Sequence, residues 1–280
     1  MVFEPCYNLS AVRTLTATRY VQPLREGGSL PAVVETEDGG LYVVKFRGAG
    51  HGAKALVAEL ITGLAAQALG LPTPELVLVD VPAPFGRSEP DPEIQDILQK
   101  SHGVNVGAVY LDGAFNFDVA AAGDLVSSAL ASRIVWLDAY LTNPDRTHRN
   151  PNLLIWRREP YLIDHGSALY AHHDWESVDD ARTRTAFPLI QHHVLLGHTT
   201  STDVDAADHD AAIRLTPEMI DGILAQVPDQ LLSDPPSKDR SRYRDYLVRR
   251  REAPREFVAE INRSREAVAS MPPRPLKARR

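Results

Sequence analysis

The chain has 280 residues, a formal net charge of −7, 44% hydrophobic and 24% charged residues, a composition that supports a packed core and excludes disorder. The acidic balance gives no support to a nucleic-acid surface, which shows as basic excess, and the single cysteine, Cys6, excludes an internal disulfide and suits a reducing compartment. MVFEPCYNLS is not a secretory signal, and no apolar run approaches the roughly 20 residues of a membrane span, so the expectation is a soluble cytoplasmic protein that engages neither nucleic acid nor membrane.

In chain order, LPAVVET and LYVVKF read as strands joined at EDGG into a hairpin. A glycine-rich connection, RGAGHGAK, leads into ALVAELITGLAAQALG, whose apolar residues recur at helical spacing until Gly70 and Pro72. PELVLVDV is a buried strand. The proline- and acid-rich stretch that follows reads as a loop and a short helix from about Asp91; GVNVGAVYL is a further strand and LDGAFNFD a connector. DLVSSALASRIVWLDAYLTN is a helix with Asp124 as its N-cap. The polar loop NPDRTHRNP then interrupts the core before a strand NLLIW, the turn RREP and a strand YLID closed by Asp164. The remainder is helix and loop, ending in SRYRDYLVRRREAPREFVAEINRSREAV, which Pro254 should break and whose RRRE run reads as a solvated face. The order predicts a two-lobed α+β protein.

One constellation of residues matches a chemistry. Phosphoryl transfer from ATP needs a cation on the phosphates and an acid to hold that cation. It also needs a carboxylate to orient the attacking hydroxyl, and hard oxygen ligands for Mg²⁺. Lys45 at a strand end and Glu59 in the first helix fit the first pair. Asp145 fits the hydroxyl-orienting role, and Asn150 and Asp164 fit the metal, since the hairpin between them returns the chain. Asn152 is a second candidate ligand, because the apolar run begins directly after it. Each residue alone has an ordinary structural reading; their order on the right element types carries the case. Arg146 reads as a loop anchor on a buried carboxylate, and His148 as a loop residue. The paired histidines His172–His173 and His192–His193 lack the i, i+4 spacing of a helical zinc site.

VVK, the helix glutamate, DRxxxN and IDHG, in this order, resemble the protein-kinase-like superfamily. With REGGSLPAVVE, YVVKFRGAG, GLPTPELVLVD, SEPDPEIQD and DRTHRNPNLL they resemble the HipA-like kinase domain, from about Arg25 to about Leu169, and more distantly the phosphatidylinositol kinases. The resemblance implies an α+β, bilobal protein-kinase-like fold with a small strand-rich N-lobe and a larger, mainly helical C-lobe. The expected boundaries are 1–110 for the N-lobe, 111–270 for the C-lobe and 271–280 for a basic tail. It implies ATP with Mg²⁺ as cofactors and a hydroxyl acceptor, most readily a protein Ser or Thr, including the chain itself. Lys45 and Asp145 would be catalytic. Lys45, Glu59, Gly27, Gly28, Ser29 and the hinge residue Tyr110 would contact the nucleotide, and Asn150 and Asp164 would bind metal. The departures are Thr147 where phosphatidylinositol kinases carry histidine, Asp-His-Gly in place of Asp-Phe-Gly, and a covering loop without spaced glycines. A small-molecule kinase of aminoglycoside or lipid type and a non-catalytic nucleotide-binding module are the alternatives.

Overall fold

The expected hairpin is part of a closed five-stranded barrel in the structure, a computed structural model that describes residues 9–24, 30–50, 52–83, 85–87 and 89–270. Its strands are β1 (Arg13–Pro23), β2 (Ala32–Thr36), β3 (Leu41–Lys45), β4 (Leu76–Val81) and β5 (Gly103–Val109), in spatial order β1-β2-β3-β5-β4. The sequence reading has no counterpart to β1, because RTLTATRYVQP buries only Leu15 and Ala17 and is otherwise mostly polar. Closure comes from β1 pairing parallel to β4 (Arg13 with Val77, Leu15 with Val79) and antiparallel to β2, with two register irregularities that bend the strand. The barrel interior is filled by Ala32, Val34, Tyr42, Val44, Val77 and Val79.

Between β3 and β4 runs α1 (Gly52–Ala68). It ends as the sequence predicts. Gly70 takes φ +65 and donates to the Gln67 carbonyl, and Leu71 donates to that of Ala66, which is the bonding pattern of a Schellman stop. Gly63 allows α1 to lie hard against β4: a Cβ there would stand 2.5 Å from Leu76 Cδ1. α2 (Pro92–Lys100) starts at the expected place, with the Asp91 side chain accepting from the Glu93 N–H. It covers one side of the barrel with Ile94 and Leu98.

Beyond β5 the chain passes through β6 (Phe115–Asn116) and α3 (Val119–Ala122) into α4 (Ser128–Tyr140). The cap of α4 is Ser127, whose side chain accepts from the Leu130 N–H; Asp124 lies one turn earlier in a short 3₁₀ segment, Gly123–Leu125. The helix begins later than its polarity pattern suggests because this 3₁₀ turn redirects the chain first. β7 (Leu153–Trp156) and β8 (Glu159–Leu162) form the expected hairpin and add β6 as a third strand. Arg157 and Arg158, both at positive φ, make its two-residue turn. Asp164 lies two residues beyond β8, not within it.

The rest is helical: α5 (Asp180–Thr183), α6 (Ser201–Arg214), α7 (Pro217–Ala225), α8 (Pro236–Arg251) and α9 (Glu256–Ala269), linked by 3₁₀ turns. Pro254 separates α8 from α9, as expected. The RRRE run is a solvated face only in part: Arg249 and Glu252 are exposed, and the exception is Arg250. Arg250 is buried, and its guanidinium donates to the carbonyls of Ala139, Tyr140, Thr183 and Thr185. Two of these are carbonyls at the C-terminal end of α4, where a cation is favoured. Among the described residues no single helix is long and apolar enough to cross a membrane. The basic tail at 271–280 lies outside the described residues.

One hydrophobic cluster runs from α1, β4 and β5 through α4, the β7–β8 hairpin and the C-terminal helices, and a second fills the barrel. Leu98 belongs to the second and is fully buried between α2 and the barrel. Leu98→Ala should lower stability by about 2–5 kcal/mol, read as a drop in the urea midpoint with an unchanged slope.

Candidate functional site

Lys45 is the last residue of β3, and its partners come from elements far apart in sequence. Its ammonium lies 2.7 Å from Glu59 Oε2 on α1 and 2.6 Å from Asp164 Oδ1 after β8. Burial alone would push the ammonium's pKa down, but the charges of Glu59 and Asp164 outweigh it, and the net shift is upward. The Asp164 carboxyl behaves conversely: burial would raise it, and the Lys45 charge holds it below its ordinary value. Glu59 Oε2 also accepts the His165 N–H at 2.6 Å, so one buried carboxylate fixes both the lysine and the turn that carries Asp164. Asp164 takes φ +53, a left-handed conformation that an Asp tolerates better than most residues.

Asp145 sits on the polar loop after α4. Its Oδ2 accepts from Asn150 Nδ2 at 3.0 Å, Asn152 Nδ2 at 3.3 Å and Ser167 Oγ at 3.5 Å. The two asparagines differ in setting. Asn150 is exposed. Asn152 is 7% exposed, and its carbonyl accepts from the Ile163 N–H at 3.1 Å, which puts it beside the residue that precedes Asp164. Burial and this backbone pairing distinguish Asn152; spacing along the sequence does not.

Beneath the loop lies Arg146, 1% exposed. Its Nε donates to Asp138 Oδ2 at 2.6 Å, and its Nη1 to the carbonyls of Asn152 and Ile163. Its Nη2 reaches Asp138 Oδ1 and, at 3.2 Å, His165 Nδ1. The expectation of a loop anchor on a buried carboxylate is met, and the carboxylate is Asp138 of α4. Because arginine only donates, His165 Nδ1 is an acceptor and its Nε2 carries the proton. Burial, reinforced by the Arg146 charge, pushes the His165 pKa down to about 4. Burial alone would raise Asp138; Arg146 and a hydrogen bond from His193 hold it well below the usual carboxylate range.

These groups border a cavity of about 730 Å³. Lys45, Glu59, Asp164 and His165 are part of its polar lining. Val43, Ala108, Leu154, Leu162 and Ile163 are among its apolar lining, and Tyr110, whose N–H donates to the Leu41 carbonyl, also lines it. Gly27, Gly28 and Ser29 lie outside the described residues. His148 is exposed, and His172 and His173 meet each other through Nε2 atoms 3.2 Å apart, with Tyr243 on His172 Nδ1. Among the described residues no three His, Cys, Asp or Glu side chains gather as a metal cage. A hard divalent cation would find oxygen donors in Asp164, whose side chain is 40% exposed, and in the Asn152 amide.

Sequence reasoning missed Asp138, His193 and Ser167. Asp138 did leave a signal: a lone carboxylate inside the apolar run IVWLDAY requires a buried partner.

The sequence profile of HipA-like kinases matches residues 18–246, well beyond the stretch whose motifs carry the resemblance. No curated protein matches the chain significantly. Among solved structures, a Helicobacter pylori proinflammatory kinase, CtkA, superposes with a TM-score of 0.54 at 13% identity, over 92% of this chain and 99% of that one. A Golgi casein kinase with Mn/ADP bound gives a TM-score of 0.46 at 13% identity, over 94% of this chain and 75% of that one.

Two outcomes test the buried network. Arg146→Met leaves the Asp138 charge uncompensated and should cost about 3–5 kcal/mol in denaturant unfolding, part of which a second substitution, Asp138→Leu, should restore. The second outcome concerns His193. Its Nε2 lies 2.9 Å from Asp138 Oδ2, while Nδ1 accepts from the Leu195 N–H at 3.0 Å, so the neutral ring satisfies both. Burial holds its pKa below the ordinary 6.5 despite the pull of Asp138. A histidine with a depressed folded pKa binds more protons when unfolded, so its contribution is full above its unfolded value and is lost as pH falls below it. The denaturation midpoint should therefore fall between about pH 7 and pH 5, and less steeply in His193→Asn.

Proposed function

The chain belongs to the HipA-like kinase family, and on that premise we propose that it transfers the γ-phosphoryl group of Mg·ATP to a hydroxyl acceptor, a protein Ser or Thr in the first instance, its own chain included. The observation that carries the reading is the Lys45 ammonium, held 2.7 Å from Glu59 and 2.6 Å from Asp164 in the lining of the cavity. In this reading Lys45 meets the nucleotide phosphates and Glu59 keeps it aimed. The apolar lining of the cavity takes the base, with Tyr110 as the hinge at a lobe boundary near residue 110. Asp145 orients the acceptor hydroxyl. Three donors converge on its Oδ2, which leaves Oδ1 to accept the hydroxyl's hydrogen bond. Asp164 and Asn152 hold Mg²⁺; Asn152 replaces the expected Asn150 because it is buried and stands beside Ile163.

Mg²⁺, when bound, neutralises charge on the transferring phosphoryl oxygens. The protein's own part is positioning and charge placement, with no covalent intermediate. Arg146 keeps Asn152 and the Asp164 turn at a fixed separation. Neutral His165 adds no charge of its own to the cavity lining. The single cysteine suits a reducing, cytoplasmic setting for the reaction.

The test is incubation of the purified chain with labelled ATP, Mg²⁺, and protein and small-molecule acceptors. Label should reach a protein hydroxyl. Asp145→Ala should reduce transfer roughly 10²–10⁴-fold while ATP binding persists. Asn152→Ala should raise the Mg²⁺ concentration needed for half-maximal rate more than Asn150→Ala does. ATP binding without transfer to any acceptor would instead mark a nucleotide-binding module, and transfer confined to small molecules would replace the acceptor class.

A further inference from the structure

The loop that carries Asp145 ends in a charged tip for which the nucleotide has no use. Thr147 and Asn150 close it: the Thr147 N–H donates to the Asn150 carbonyl at 2.9 Å, and the Asn150 N–H donates to Thr147 Oγ1 at 3.3 Å. His148 and Arg149 are the two residues between them, and both are exposed. The base of this turn is tied to Asp145, because the Asn150 amide donates to its Oδ2. Arg149 therefore stands one residue away from a side chain that touches the carboxylate assigned to the acceptor hydroxyl.

A second segment joins the same surface. Thr147 pairs with His193 in an antiparallel bridge, and the Val194 N–H donates to the Arg146 carbonyl at 3.0 Å. That register sets His192 across from His148. His193 turns inward to Asp138, whereas His192 is exposed. Residues 143–152 hold no acid besides Asp145, and residues 186–198 hold none. Asp145 is itself occupied, with three donors on its Oδ2.

The guanidinium at the tip is uncompensated in a chain with more acids than bases, 37 against 30. The acids that follow Asp164 are already engaged: Asp174 by Arg182, Glu176 by Arg242 and Asp180 by Arg184. Among the described residues nothing pairs with Arg149. A guanidinium presents a planar fork that meets a carboxylate through two N–H donors. The partner that this chain does not supply has to come with the acceptor.

We propose that Arg149 selects the acceptor, and that the acceptor is a serine or threonine flanked by acidic residues, whose carboxylate the Arg149 guanidinium receives while the hydroxyl lies on Asp145. The inference rests on the kinase reading above and names the substrate class of that site. An exposed ion pair adds little affinity, but attraction for one charge and repulsion of the other separate rival acceptors.

The experiment measures transfer of label from ATP to three serine peptides that differ only in their flanks, which are glutamates, glutamines or lysines. The glutamate peptide should exceed the glutamine peptide about three- to fivefold in kcat/KM, the size of one exposed ion pair. It should exceed the lysine peptide about tenfold or more, since repulsion there replaces attraction. Arg149→Glu should reverse the order of the glutamate and lysine peptides, and Arg149→Gln should level it. Each ratio is read on one preparation, so any loss of folded protein cancels. Raising salt from about 0.05 M to about 0.5 M should shrink the wild-type preference. Equal use of the three peptides, an order that Arg149→Glu leaves as it was, or label on the chain alone overturns the proposal and leaves the kinase reading standing. Absence of ATP binding and of label anywhere removes the kinase reading, and acceptor choice with it.

Discussion

The Asp138 carboxylate and the Arg146 guanidinium are both fully buried, and their contact at 2.6 Å organises the centre of the molecule. A buried ion pair is weak evidence of stability, since desolvation opposes the attraction. Its value here is geometric. A guanidinium has five N–H donors in one plane, and Arg146 spends them on α4, on the carbonyl of Asn152 and on both flanks of Asp164 through Ile163 and His165. The loop that carries Asp145 and the turn that carries Asp164 are thereby held to the same rigid helix. His193 and Asn143 bind the remaining capacity of the Asp138 carboxylate and extend the framework.

The second ionic group has the opposite design. Lys45 and Glu59 are mostly covered, but Asp164 opens toward the cavity. A charge pair that keeps one side accessible retains the ability to exchange partners. Glu59 remains bonded to the His165 N–H whatever Lys45 does, so the helix glutamate holds its place while the ammonium turns toward an anion. One network is closed and sets distances; the other is open and handles charge.

How much of this was legible depended on where the physical signal lay. The helix stop at Gly70, the cap at Asp91 and the β7–β8 hairpin follow from local chemistry, and a single sequence records local chemistry well. Lys45, Glu59 and Asp164 were legible because each ends or interrupts a strongly patterned element. β1 was not, since a strand that closes a barrel with mostly polar side chains gives little alternation. Arg250 was misread for a related reason: its burial is decided by carbonyls of α4 that are over a hundred residues away in sequence. Asn150 and Asn152 are equivalent in composition and nearly so in position, and only burial and the three-dimensional pairing of Asn152 with Ile163 separate them. Gly27, Gly28 and Ser29 lie outside the described residues.

The hydrophobic cluster that joins α1 to the C-terminal helices has a consequence for how the molecule comes apart. Leu56, Leu60 and Ile61 lie in the same cluster as Ile220, Ile223 and Leu231. A fragment cut at the passage between the lobes would carry this helix with its greasy flank bare. The halves are therefore not separable modules, and reshuffling them among relatives would call for matched surfaces on α1 and α7.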